Sequence, residues 1–384
     1  MPQRRTLAFL VLLLAVPPLA AQSPHTFTEA CHGKGTLRYI DGIPVLTVSG
    51  TPEEIGEQIG ALTGKQLGQI ARYPKMLVSL IRGQAGWDRL MATSKKLLPQ
   101  FPEDYRKEMA AVAKAAHLDP ELLLAGNTFP DILKSGGCST IIVEPHRSVT
   151  RGPLFGRNLD YPSLGFLYNY TLVTVYHPKG KHSFVSVGFP GMLGCVSGMN
   201  DAGLSLATLE VYWSKDGAPR LDTSGIPYTL CYRRLLEECG TVAAAERLMR
   251  SMKRTTMNNL AVCDTHAGEV FELTSKSLVV RPPLDDLCLC TNHFRTAELA
   301  PTEKRFARLK QCWRYATLEQ AAALPQLGLA DVARKLDQVN QGSHTLQSMI
   351  FEPATLTLHL AAGRPPASAL PMHTLDLGLL FRPK

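Results

Sequence analysis

Beyond residue 21 this sequence of 384 residues lacks any apolar run long enough to cross a bilayer, which takes about 20 residues in a helix. It also lacks blocks of like charge, basic stretches interleaved with aromatic residues, internal repeats and low-complexity tracts. Despite a formal net charge of +8, these absences argue against a nucleic-acid-binding or membrane-spanning protein. The composition, 45% hydrophobic and 19% charged, is typical of one large or two ordinary globular domains.

The N-terminus has the three parts of a secretory signal. M-P-Q-R-R is basic, T-L-A-F-L-V-L-L-L-A-V is apolar, and P-P-L-A-A-Q ends in small residues. This order predicts a signal peptide over residues 1–21, cut after Ala21, with an uncleaved anchor as the alternative. We therefore expect a secreted or periplasmic protein with no stable membrane span.

The nine cysteines are an odd number, so at least one thiol stays outside any intrachain pairing. Export permits disulfides, but their connectivity cannot be deduced from spacing. The odd count is compatible with a reactive thiol and does not identify it.

A change in hydrophobic period divides the chain near residue 138. Residues 51–133 have helical spacing, and Thr51 followed by Pro52, Glu53 and Glu54 is typical of a helix start. From Cys138 onward, short β-branched and aromatic runs separated by Gly and Pro predict strands. Further helices are predicted at 228–238, 242–252, 302–319 and 329–336, before a last hairpin at 346–361. This order predicts an α+β layered fold.

The junction itself reads S-G-G-C-S-T. If the bond between Gly137 and Cys138 is cut, the new α-amine, with a pKa near ~8, can accept the proton of a thiol with a pKa near ~8.5. Two glycines before the cysteine would allow unusual backbone angles and let the thiol reach the Gly137 carbonyl. The alternative is a buried structural cysteine.

Downstream residues could complete such a site. In G-R-N-L-D-Y-P, Arg157 and Asp160 end the strand predicted to pair with the strand of Cys138, where a guanidinium would lower the thiol pKa. Asn200, in G-M-N-D-A-G-L, and Asn292, in C-T-N-H-F, could donate to an oxyanion. The alternatives are a surface ion pair and turn-forming asparagines.

A zinc site is the competing interpretation of the cysteine-rich region. Cys263, His266, Cys288, Cys290 and His293 could supply four ligands. However, Cys288 and Cys290 alternate with leucines in an apolar strand, a pattern that also predicts ordinary packing on one face of a sheet.

The motifs taken together resemble the amino-terminal-nucleophile (Ntn) hydrolases. C-S-T-I-I-V, G-R-N-L-D-Y-P, G-M-N-D-A-G-L and T-N-H-F, in this order, are most similar to the isopenicillin N acyltransferase-like group. More distantly they resemble choloylglycine hydrolases, acid ceramidase and N-acylethanolamine acid amidase. G-T-P-E-E-I-G-E-Q-I-G also resembles the pro-segment of the acyltransferase-like group. One departure is Ser139, where ceramidase-like members have threonine.

The resemblance implies a four-layer αββα sandwich preceded by a mainly helical pro-segment. It implies a pro-segment over residues 22–137 that stays associated with a catalytic chain over 138–384. Cys138 would be the nucleophile of an amidase acting on small N-acyl compounds, without a cofactor. Arg157 and Asp160 would tune and orient it, and Asn200 and Asn292 would bind the substrate or the oxyanion. An acyltransferase and a non-catalytic module on the same fold are the alternatives.

Overall fold

The strands of the computed structural model, which describes residues 26–302 and 312–382, form one ten-stranded and one six-stranded sheet. In the ten-stranded sheet the order is β1-β2-β3-β6-β7-β8-β9-β10-β11-β12, and in the six-stranded sheet it is β13-β4-β5-β14-β15-β16. The strands are β1 (Ala30–His32), β2 (Gly35–Ile40), β3 (Ile43–Gly50), β4 (Gly137–Val143), β5 (Leu154–Asp160), β6 (Leu172–Pro178), β7 (Phe184–Gly188), β8 (Ser197–Asn200), β9 (Ser205–Glu210), β10 (Asn258–Cys263), β11 (Gly268–Leu273), β12 (Leu278–Arg281), β13 (Leu287–Cys290), β14 (Thr345–Glu352), β15 (Thr357–Ala362) and β16 (His373–Asp376).

Helices cover the outer face of each sheet. They are α1 (Pro52–Ile70), α2 (Tyr73–Leu97), α3 (Glu103–Ala115), α4 (Pro120–Ile132), α5 (Tyr228–Glu238), α6 (Val242–Ser251), α7 (Trp313–Glu319), α8 (Leu329–Gln338) and the short α9 (Leu377–Leu380). Among the described residues, none of these helices is both long and apolar enough to span a bilayer.

The core is divided by the two sheets into layers. Strand β4 shows the division, because Ile142 points into the core between the sheets while Ile141 packs against α7 and α8. A third core lies between the ten-stranded sheet and helices α1, α3, α5 and α6. The protein is therefore a four-layer αββα sandwich, which confirms the fold class expected from the sequence.

Residues 26–137, most of the predicted pro-segment, are part of this sandwich and are not a separate helical unit. Strand β3 pairs in parallel with β6, with Val45 opposite Val173. Strands β2 and β3 form a hairpin whose turn contains Asp41 and Gly42, both at positive φ. An Asp-Gly turn between alternating apolar residues is a strong hairpin signal, so these strands could have been predicted from the sequence.

Most of the predicted helices are present. Thr51 forms a capping box with Glu54 at the start of α1, and α5 has the predicted bounds. Helices α6 and α8 end within two residues of the prediction, whereas α7 begins only at Trp313. Residues 303–311 of the predicted 302–319 helix and the predicted signal peptide lie outside the described residues.

Candidate active site

Cys138 lies near the start of β4, which is the second strand of the six-stranded sheet, between β13 and β5. The predicted hairpin is present, with Gly137 opposite Asp160, Cys138 opposite Leu159 and Thr140 opposite Arg157. Because side chains alternate along a strand, Cys138 and Arg157 share the face between the sheets, while Asp160 points to the opposite face.

The backbone of Cys138 is held by Asn292 and Arg314. The Cys138 N–H donates to Asn292 Oδ1 at 2.8 Å, and Arg314 Nη1 donates to the Cys138 carbonyl at 2.6 Å. Arg314 Nη2 also donates to Asn292 Oδ1, at 2.9 Å, and Asn292 Nδ2 donates to the Glu210 carbonyl at 2.9 Å. Asn292 therefore directs its oxygen, not its amide nitrogen, at the Cys138 nitrogen.

Arg157 is completely buried beside the thiol. Its Nε donates to the Ser197 hydroxyl and its Nη1 to the Thr208 carbonyl at 3.1 Å. Its Nη2 has no partner of normal hydrogen-bond geometry within the described structure. A buried guanidinium with a spare N–H is positioned to stabilise a thiolate or a developing oxyanion.

Asp160 orients neighbouring groups from the other face of the sheet. Gln341 Nε2 donates to its Oδ2 at 2.7 Å, the Thr345 hydroxyl donates to its Oδ1 at 2.6 Å, and Arg314 Nη1 lies 3.8 Å from Oδ2. Burial raises the pKa of Asp160, and the two hydrogen bonds and the arginines partly oppose this shift.

The thiol of the uncut chain is a weak acid. Burial raises the pKa of Cys138, Arg157 lowers it through its positive charge, and Asp160 raises it again. The net direction is upward, so the thiol is protonated at neutral pH and needs a base. Freeing its α-amine would supply one.

The two glycines before Cys138 are required for space. Neither has a positive φ, so unusual backbone angles are not the reason for them. A Cβ on Gly137 would lie 1.9 Å from Gln341 Nε2, and a Cβ on Gly136 would lie 2.8 Å from the Tyr161 ring. The interpretation from backbone freedom was therefore wrong, and close packing replaces it.

Three residues that sequence reasoning missed hold the segment before the junction. The Glu210 carboxylate accepts the N–H groups of Ser135 and Gly136, both at 3.0 Å, and Tyr212 donates its hydroxyl to the Gly136 carbonyl at 2.9 Å. Lys134 Nζ donates to the carbonyls of residues 211 and 257. Burial raises the pKa of Glu210 and lowers that of Lys134. These residues have no recognisable local pattern, because they meet only in the folded chain.

If the chain is cut at Gly137–Cys138 as the sequence predicts, replacing Lys134 with methionine is expected to slow that cut about tenfold or more. Hydrogen bonds from a charged donor contribute about 1.5–3 kcal/mol, and without them the last residues of the pro-segment lose their anchor. The half-time for conversion of one chain into two, followed on denaturing gels, measures the effect. Lys95→Met removes an exposed ion pair with Glu121 and is the control. An unchanged half-time for Lys134→Met would contradict the anchor.

Asn200 is not part of this cluster. Its Nδ2 donates to the carbonyls of Leu236 and Cys239 at 2.9 and 2.7 Å, and its Oδ1 accepts the Leu204 N–H at 2.9 Å. It is the last residue of β8, just before the turn to β9, and Glu210 near Cys138 is at the other end of β9. The prediction that Asn200 binds substrate or oxyanion is therefore corrected. Its amide group is hydrogen-bonded within the turn and to the carbonyls at the end of α5.

The residues of the alternative zinc site are dispersed among other contacts. Cys263, Cys288 and Cys290 pack in the core between the sheets, and Cys288 donates to the Gly268 carbonyl. His293 contacts Thr291 and the Tyr315 ring. Within residues 26–302 and 312–382, no three potential ligands come together around a metal position.

An apolar cavity of about 140 Å³ opens at Cys138. It is bounded on one side by helices α1, α2 and α4 and on the other by residues that follow Cys138. Its lining includes Leu67, Ile70, Tyr73, Leu123, Phe129, Leu159, Tyr161, Phe189, Met192 and Tyr228. Glu210 and Cys138 are at its polar end. The cavity is suited to an apolar group attached to a carbonyl placed next to the thiol.

A four-layer αββα sandwich with a cysteine at the start of an inner strand, an arginine on the same face and an asparagine at the cysteine nitrogen, defines the class of Ntn hydrolases. The chain belongs within it to the acyl-coenzyme A:6-aminopenicillanic acid acyl-transferase family, whose model matches residues 148–367, more than half of the 384 residues. The match begins after Cys138 and includes Arg157, Asp160 and Asn292.

Individual relatives are more distant. An uncharacterized protein of Archaeoglobus fulgidus is 23% identical over 351 residues, covering 77% of this chain but only 57% of its own length. A conjugated bile acid hydrolase of Clostridium perfringens is 14% identical, with a TM-score of 0.46 over 63% of this chain and 93% of that one. An N-acylethanolamine-hydrolyzing acid amidase of Caenorhabditis elegans is 17% identical, with a TM-score of 0.43 over 56% and 93%.

Proposed function

We propose that this chain is an amide hydrolase that activates itself by cutting the bond between Gly137 and Cys138. The observation that supports this most directly is the position of Cys138, whose nitrogen is held at 2.8 Å by Asn292 while its side chain lines an apolar cavity. A hydrogen-bond acceptor for that nitrogen would also hold the α-ammonium formed by cutting.

Self-activation would proceed through the thiol. Sγ attacks the Gly137 carbonyl carbon, the bond to the Cys138 nitrogen breaks, and the thiol proton passes to that nitrogen. Water then hydrolyses the thioester, leaving a Gly137 carboxylate and a free Cys138 with both amine and thiol. Because the pro-segment supplies β1–β3 and one wall of the cavity, the two chains are expected to stay associated.

Catalysis would repeat this chemistry on a substrate. The α-amine takes the thiol proton, the thiolate attacks the acyl carbon, and the ammonium returns a proton to the leaving amine. Water releases the acid from the Cys138 thioester. A cavity of about 140 Å³ is close to the ~150 Å³ cavity that accommodates benzene, so we expect a short alkyl or single-ring acyl group.

The experiment is mass spectrometry of the purified protein. The expected result is two chains that separate only in denaturant, the larger beginning at Cys138. Cys138→Ala should stay uncut, whereas Cys288→Ala, which changes a buried cysteine on the neighbouring strand β13, should be cut normally. A single wild-type chain that is nevertheless active would contradict self-activation.

Acyl transfer is the second candidate, favoured by the description of the family. The same thioester would then pass its acyl group to an amine or thiol. Adding an amine acceptor to the hydrolysis assay distinguishes a transferase from a hydrolase, because a transferase yields mainly the new amide.

We also propose that the protein acts outside the cytoplasm, based on residues 1–21. The test is cell fractionation followed by a measurement of the intact mass of the protein. We expect a mass that lacks residues 1–21.

A further inference from the structure

The segment that carries Asn292 leaves the six-stranded sheet before it reaches the nucleophile. Strand β13 is the edge strand of that sheet, and its pairing with β4 ends where Cys290 lies opposite Thr140. The backbone groups along such an edge need hydrogen-bond partners from elsewhere in the fold. The three hydrogen bonds of the Asn292 side chain depend on where this segment is held.

Side chains of the ten-stranded sheet bind this edge. Arg281 Nη2 donates to the Leu289 carbonyl at 2.8 Å. Asn259 Nδ2 donates to the Thr291 carbonyl at 2.9 Å and to the His293 carbonyl at 3.0 Å. These three carbonyls belong to alternate residues, which point to the same edge of an extended chain. The Asn259 amide therefore fixes the backbone on both sides of the asparagine that holds the nucleophile.

Glu272 holds the next part of the same segment. It lies directly opposite Asn259, on the neighbouring strand β11, and both side chains are completely buried. Its Oε1 accepts the Arg295 N–H at 2.8 Å, and its Oε2 accepts the N–H and the hydroxyl of Thr296 at 3.1 and 2.8 Å. The segment that begins beside Asn292 is therefore fastened to the ten-stranded sheet over its whole turn.

The Asn259 amide has one favourable orientation. Both of its partners are carbonyl oxygens, so turning the amide over would bring Oδ1 against two acceptors. In the orientation present, Oδ1 is buried without a partner of normal hydrogen-bond geometry in the described structure. Burying an unpaired amide oxygen costs free energy that an apolar side chain would avoid. What Asn259 contributes is therefore its two N–H donors.

We propose that Asn259 is a positioning residue, which sets the Asn292 amide against the Cys138 nitrogen by holding the carbonyls on either side of it. The role rests on the proposed function and adds a residue to it. Asn259 is not among the residues that line the apolar cavity, so it acts through Asn292 and not on the substrate.

The test is a double-mutant cycle, measured with a chromogenic amide and expressed per cut enzyme. Asn259→Ala removes the amide and leaves a gap, whereas Asn259→Leu replaces it with an apolar group of the same branched shape. Each should lower kcat by about 10- to 100-fold with little change in KM, since a misplacement of roughly 1 Å at a reacting group can cost that much. Equal losses in the two variants would assign the effect to the hydrogen bonds and not to the gap.

In a chain that already carries Asn292→Ala, the same Asn259 substitutions should cost less than about twofold, because the group that Asn259 positions is gone. A residue that only stabilises the fold would give losses that add. The half-time of cutting is expected to follow the same cycle, since Asn292 also holds the nitrogen of the bond that is cut.

Asn200→Ala is the matched control. Its amide also donates to two backbone carbonyls from a buried position, but away from the nucleophile. It should lower the melting temperature while kcat per cut enzyme stays within about twofold of the wild type. Additive losses for Asn259→Ala and Asn292→Ala, or a normal kcat in both Asn259 variants, would overturn the positioning role and leave the amidase intact. A wild-type chain that is neither cut nor active would overturn the proposed function and this role with it.

Discussion

Asn292→Ala is expected to lower kcat by about 10²–10³, a loss of the size found when one hydrogen-bonding side chain is removed from an active site, whereas His293→Ala should cost much less. Asn292 contacts the Cys138 nitrogen, Arg314 and the Glu210 carbonyl. Removing its amide breaks these three hydrogen bonds and leaves Arg314 bound to Cys138 only through the Cys138 carbonyl. Both rates are measured with one chromogenic p-nitroanilide and expressed per cut enzyme.

His293 is unsuited to be the general base. Burial, reinforced by Arg295, lowers its pKa to about 4, and its recorded contacts are with Thr291, Arg295 and Tyr315, not with Cys138. The lowered pKa has a consequence for stability. Between pH 6.5 and about 4 the unfolded chain binds the proton more readily, so the neutral His293 loses its stabilising contribution as the pH falls through that window.

Asn292→Asp separates the role of the acceptor oxygen of Asn292 from the role of its donor nitrogen. It keeps an oxygen for the Cys138 amine and for Arg314, but it replaces the Nδ2 donor with a second oxygen facing the Glu210 carbonyl. We expect a loss as large as that of Asn292→Ala. Near-normal activity of Asn292→Asp would show that only the acceptor matters, and a larger loss for His293→Ala than for Asn292→Ala would invert the two roles.

The central hairpin of the site could be predicted because its information is local. Turn residues between two β-branched runs define β4 and β5, and the register brings Arg157 onto the face of Cys138. Asn292 could be placed by the same logic, because β13 pairs with β4 so that Cys290 lies opposite Thr140. Two residues further along, Asn292 reaches Cys138.

The remainder of the site depends on contacts between distant parts of the chain. Lys134, Arg314 and the Glu210–Tyr212 segment belong to three different stretches, and none is part of a recognisable motif. Asn200 is the opposite case, because the sequence placed it in the site and the structure does not. A turn asparagine and a catalytic asparagine look identical in G-M-N-D-A-G-L, and only the backbone partners of its amide distinguish them.

Gly137→Ala is expected to slow self-cutting by about 10², since a misplacement of roughly 1 Å at the reacting atoms can cost that much. The added Cβ would lie 1.9 Å from Gln341 Nε2, which donates to Asp160 Oδ2 at 2.7 Å. Either Gln341 turns away and leaves a buried carboxylate oxygen without its donor, or Gly137 shifts out of register with Asp160. Both movements displace the carbonyl from the thiol.

The Cβ added at Gly137 would clash with the end of the Gln341 side chain, so shortening Gln341 should relieve the clash. Gly137→Ala/Gln341→Ala should therefore be cut faster than Gly137→Ala alone, although more slowly than the wild type because Asp160 has lost one donor. Gly68→Ala, where the nearest atom to the new Cβ would be 3.7 Å away, is the control for adding a methyl group. The half-time of cutting is measured for all four proteins. A Gly137→Ala chain that is cut at the wild-type rate would show that the strand tolerates a side chain there. Failure of the double substitution to recover any rate would place the requirement for glycine in the backbone and not in the space occupied by Gln341.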